Sequence, residues 1–89
     1  MEATVRSMTG LLPANVDAVR LQSLEDGGWQ ALCDSAVGQP RRYRFASGTE
    51  IESKIADTLE SDLGFTHYAA HETARRLVEP FALAADWNS

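Results

Sequence analysis

The stretch Asp17 to Cys33, DAVRLQSLEDGGWQALC, decides the fold. Read as extended chain, Val19, Leu21 and Ser23 alternate with Arg20, Gln22 and Leu24, the chain turns at Glu25-Asp26-Gly27-Gly28, and Trp29 to Cys33 returns. Asp-Gly followed by Gly supplies the positive φ angles that a tight hairpin needs. Read instead as a helix over Ala14 to Leu24, the segment keeps Val16, Val19 and Leu12 on one side but scatters Leu21 and Leu24. The hairpin has the better turn and is favoured. It makes the protein an α+β domain, a small antiparallel sheet or hairpin followed by a packed helix pair; the helical reading would make it an all-α bundle.

Gly38 and Pro40 then mark a connection, and Arg41 to Ala46 alternates again, with Tyr43 and Phe45 on one side and Arg42 and Arg44 on the other. This spacing predicts a further, half-buried strand. At a sheet edge its arginines would oppose edge-to-edge association. Taken as a site, Arg41, Arg42, Tyr43 and Arg44 form a basic and aromatic patch for phosphate, the footprint of a nucleic-acid-binding surface.

Downstream, Ser47 to Glu79 carries start and stop signals for two helices. Ser47 with Glu50 has the form of a capping box, Ile51, Ile55, Leu59 and Leu63 recur every four residues, and Gly64 sits where a left-handed residue would close the helix, predicting a helix over 50–62. Thr66 as N-cap and Pro80 as a stop predict a second helix over 66–79. His67, His71, Ala74, Val78 and Phe81 mark its expected buried stripe, with Ala70 and Leu77 beside them and Glu72 paired with Arg76 outside. Asp57, Glu60 and Asp62 crowd the far end of the first helix, where the helix dipole disfavours negative charge. Local stability does not explain them, so they are candidates for contact with a basic partner. Past Pro80, Phe81, Ala84 and Trp87 recur at three-residue intervals, as in one or two further turns, and Trp87 either completes the core or anchors another chain.

No stretch commits the chain to a chemistry. His67 and His71 have the four-residue spacing of two metal ligands, but there is no His-Glu-x-x-His and no Cys pair, so no metal is expected. No Gly-x-Ser-x-Gly turn presents a nucleophile, and Gly27-Gly28 lacks the spacing and the Lys of a phosphate loop. Cys33 is alone and reads as a small core residue, which excludes a disulfide framework. No cofactor is implied, and the expectation is a protein that is not an enzyme.

Eighty-nine residues make a single domain with a small core, expected over 11–89, behind a frayed N-terminal segment over 1–10. The net charge of −5 belongs entirely to the second half: residues 1–49 balance five arginines with five acids, whereas residues 50–89 set three bases against eight acids. An acidic helical half repels phosphate and makes nucleic acid an unlikely partner there. No apolar run is long enough to cross a membrane and no signal peptide is recognisable, so a cytoplasmic location is expected.

Two runs carry a resemblance. LEDGGWQAL, following Leu12-Pro13, resembles the Asp/Gly hairpin ending in Trp of many small uncharacterised proteins encoded by phages of high-GC bacteria, and HETARRLVEPF with AADW resembles the closing helix of similar phage proteins. The resemblance implies origin more than activity. Small size, an acidic helical surface, an aromatic tail and the lack of a catalytic constellation lead to the expectation of a non-enzymatic interaction module, a phage accessory protein that binds and modulates a host protein through Trp87, Phe81, Asp57, Glu60 and Asp62, with homo-oligomerisation open. The alternative is a small nucleic-acid-binding protein that uses the Arg41–Arg44 patch.

Overall fold

The computed structural model describes residues 2–35, 38–46 and 50–87, with side chains through Phe81. Strands β1 (Glu2–Arg6), β2 (Ala18–Ser23), β3 (Trp29–Asp34) and β4 (Arg41–Phe45) form one antiparallel sheet in the order β1-β2-β3-β4, followed by helices α1 (Ile51–Leu63) and α2 (His67–Trp87). The α+β reading holds. The hairpin lies where the alternation placed it, with Leu21 opposite Ala31 and Val19 opposite Cys33. At its turn the Gly28 N–H donates to Asp26 Oδ1 at 2.9 Å, and a Cβ on Gly28 would come 2.9 Å from the Phe45 carbonyl oxygen, so the β4 backbone leaves room for glycine alone.

The N-terminal segment differs from expectation. Residues 2–6 are not frayed: they pair with β2 as an edge strand, Ala3 opposite Leu21 and Val5 opposite Val19, and both apolar side chains are buried. Ala3 and Val5 alternate with Glu2, Thr4 and Arg6, a period of two that was short enough to pass for a polar end. A short 3₁₀ turn at Ser7–Thr9 ends at Gly10, and the Ser7 N–H donates to the Asp17 carbonyl at 3.0 Å, tying the turn to the strand that follows.

Alternation divides the sheet into two faces. Ala3, Val5, Val19, Leu21, Ala31 and Cys33 face the helices and build the core with Ile51, Ile55, Ala56 and Leu59 of α1. The α1 stripe is the expected one, with Leu63 only half-buried at its end. The stripe of α2 is not. Ala70, Thr73, Ala74, Leu77 and Phe81 are buried, while His67 and His71 are exposed and Val78 is half-buried. At 100° per residue this face is rotated by roughly 60° from the predicted one. Alanines at 70 and 74 let α1 approach closely, and that contact sets the rotation.

Pro80 does not end α2, which runs on to Trp87. Proline removes the N–H that the Arg76 carbonyl would accept. One residue further, Phe81 is buried and meets Trp29 of β3 edge-to-face with ring centroids 4.7 Å apart, an apolar contact that offsets the lost bond. The proposed capping box falls on Ser47, outside the described residues; Glu50 precedes α1 without a side-chain cap.

Candidate functional site

The corner between the helices follows the sequence signals closely. Gly64 adopts a left-handed φ of 73°, its N–H and that of Phe65 both donate to the Leu59 carbonyl, and Phe65 is buried beneath the turn. Thr66 then caps α2: its Oγ1 accepts from the Ala69 N–H at 3.2 Å. These caps fix the last turn of α1 against the first of α2. They bring Glu60 across to His67, whose Nδ1 lies 2.9 Å from Glu60 Oε1, and a turn later His71 stacks beside His67 with ring centroids 4.2 Å apart. One donor atom from each of Glu60, His67 and His71 lies within 4.8 Å of the other two. The histidine pair was visible in the spacing. Glu60 reads from the sequence only as an acid, and nothing there pairs it with a histidine across a turn.

The acids proposed for a partner do not share one surface. Asp57 points to solvent from the outer side of α1, Glu60 turns to α2, and Asp62 lies toward β4, where its carbonyl accepts from Arg41 Nη1 at 3.5 Å. Among the described residues no Lys or Arg comes within ion-pair distance of Asp57, Glu60 or Asp62, and Glu60 has His67 as its partner. Glu72 and Glu79 of α2 behave differently. Arg75 and Arg76 both donate to Glu72, Arg75 Nη1 also reaches Glu79 at 2.8 Å, and these hydrogen bonds hold the Glu72 carboxyl below the ordinary carboxylate range. Among the described side chains of the two helices, the acids without a Lys or Arg partner therefore lie on α1.

Of the two aromatic candidates, Phe81 alone falls among the described side chains. Phe81 is a core residue, 8% exposed, and cannot anchor a partner. The Trp87 side chain lies outside the described residues. The Arg41–Arg44 patch also divides: Tyr43 packs against the core, Arg41 lies on that same face, and Arg42 and Arg44 emerge on the uncovered face of the sheet. There they join Arg6 and Arg20. Arg20 is held by Asp34, with Nη2 donating to Oδ1 at 3.1 Å, and Arg44 stands 3.6 Å from Asp26. Gln22 donates to Glu2 at 2.6 Å and Gln30 to Gln22 at 3.3 Å, so this face is a mixed polar surface with an arginine side.

A groove of about 590 Å³ opens at the end of the sheet between Val16, Cys33, Asp34, Arg41, Asp62 and Leu63. Burial pushes the Cys33 thiol up to about 11, with Asp34 adding to the effect and Arg41 opposing it, so the sulfur bordering this groove is not a nucleophile at neutral pH. Among the described residues no helix is long and apolar enough to cross a membrane. No family model matches the chain, and no match is found among curated proteins or solved structures.

Proposed function

We propose that the protein is a non-enzymatic interaction module, a phage accessory protein that binds and modulates a host protein, in which α1 offers two separate acidic contacts, Asp57 on its outer side and Asp62 toward β4, to basic groups of the partner. One observation carries this reading: Glu72 and Glu79 of α2 are paired with arginines on their own helix, whereas Asp57 and Asp62 of α1 have no Lys or Arg within ion-pair distance among the described residues. In the last turn of α1 the unpaired carboxylate of Asp62 disfavours the fold, so a contact outside it gives that acid a use. Complementary charge of this kind contributes mainly to encounter rate and choice of partner.

The test is to immobilise the protein, pass lysate of its native host over it, and identify what is retained. A host protein retained at moderate salt, weakened at high salt and lost from the Asp57→Lys, Asp62→Lys variant supports the reading. Retention indifferent to the charge reversal, or turnover of a substrate, sinks it.

A second reading draws on the sheet. Arg6, Arg20, Arg42 and Arg44 share its uncovered face, opposite the acidic helices. With Tyr43 and Phe45 turned inward, any nucleic-acid contact there is with phosphate rather than with stacked bases. Affinity would then fall steeply with salt. An Arg42→Ala, Arg44→Ala variant that elutes from a DNA column at the wild-type salt concentration removes this reading.

A further inference from the structure

We infer that Glu60, His67 and His71 form a binding site for a divalent transition-metal ion of the Zn²⁺ class, spanning the corner between α1 and α2. This goes beyond the partner-binding reading and rests on different groups, Glu60 apart.

The geometry carries it. In tetrahedral coordination with bonds of about 2.0–2.2 Å, neighbouring donor atoms stand about 3.3 Å apart. His67 Nδ1 and Glu60 Oε1 are already 2.9 Å apart, and all three donors fall within 4.8 Å of one another, so rotamer adjustment alone brings them onto one ion. A carboxylate accepts only, so the imidazole hydrogen of His67 sits on Nδ1 in this contact. On binding, that hydrogen moves to Nε2 and the Nδ1 lone pair faces the metal. Two imidazoles and one carboxylate suit Zn²⁺, with Cu²⁺ and Ni²⁺ as competitors, and do not suit Mg²⁺.

The surroundings agree. Both histidines lie outside the buried stripe of α2, so their placement serves no packing purpose. His67 is 79% exposed, leaving the site open for metal entry. Glu60 lies in the last turn of α1, where the helix dipole opposes a carboxylate but favours a cation. A bound ion removes that conflict and ties the two helices together across Gly64-Phe65-Thr66. Three protein donors leave the fourth tetrahedral position to water.

The test titrates the full chain, stripped with chelator and dialysed, with ZnCl₂ and with MgCl₂, following heat and melting temperature. The expected result is one equivalent of Zn²⁺ bound and a raised melting temperature, with neither effect from Mg²⁺. His67→Ala, His71→Ala and Glu60→Gln should each lower Zn²⁺ affinity at least tenfold, while Cys33→Ala leaves it unchanged. All three ligands are wholly or partly at the surface, so circular dichroism of the variants should match wild type and separate lost binding from lost fold. Absence of Zn²⁺ binding by the wild type, or binding that survives His71→Ala, overturns the inference. Wild-type affinity in Glu60→Gln overturns the three-ligand site. Capture of a partner in the presence of chelator is a separate readout and bears only on the interaction reading.

Discussion

Thr73 is fully buried in the α2 stripe, and its hydroxyl has no hydrogen-bond partner among the described residues. An unpaired buried hydroxyl costs about 1–3 kcal/mol. Thr73→Val keeps the shape and removes that cost, so it should stabilise the protein by roughly 1 kcal/mol in urea denaturation, whereas Leu77→Ala in the same stripe should cost about 2–5 kcal/mol. Cys33 gives a pH dependence. Its thiol is raised from 9.0 to about 11 in the fold, so the folded state keeps the proton that the unfolded state has released. This stabilisation is complete below pH 9 and is lost as the pH rises toward 11. Between pH 8 and pH 10.5 the wild-type denaturation midpoint should therefore fall further than that of Cys33→Ala. Individual residues were legible where a rule links them to a near neighbour, as with Thr66 and Ala69 or Glu72 and Arg76. Glu60 and His67 meet across a turn, and no rule of local spacing connects them.

At the scale of elements, local punctuation was read well where conformation alone decides. Gly64 has a left-handed φ with open space around it, so Gly64→Ala should cost about 1 kcal/mol, from backbone strain without a clash. That is measurable as a shift in midpoint at unchanged cooperativity. The ring of Pro80 opposes a helix locally and predicts a stop, yet Phe81 against Trp29 makes the continuation favourable. Pro80→Ala should restore the bond to the Arg76 carbonyl and stabilise by about 1 kcal/mol, with slower amide exchange around it. The face of α2 could not be read from period alone, since histidines and alanines both fit a four-residue spacing. The close approach of α1 decided between them.

For the whole molecule, charge and topology separate. The meander and helix pair follow from hydrophobic alternation, which is why the fold class was legible from the hairpin onward; β1 was missed because five residues with two small apolar side chains look like a polar end. The acidic excess contributes nothing to this architecture. Asp57→Asn with Asp62→Asn should therefore raise the melting temperature slightly while weakening capture of a basic partner, and a variant that lost both would show the acids to be structural. Topology imposes an order of events as well. Neighbouring strands and the two helices pair with what was made just before them, but α2 also packs on β1, the first element of the described chain against the last. On the ribosome the sheet can zip up as it emerges, while Val5, Val19 and Leu21 stay without their cover until α2 has left the exit tunnel. Closure of the core thus waits for α2, and a chain stalled within α2 would present its apolar sheet face to chaperones and proteases.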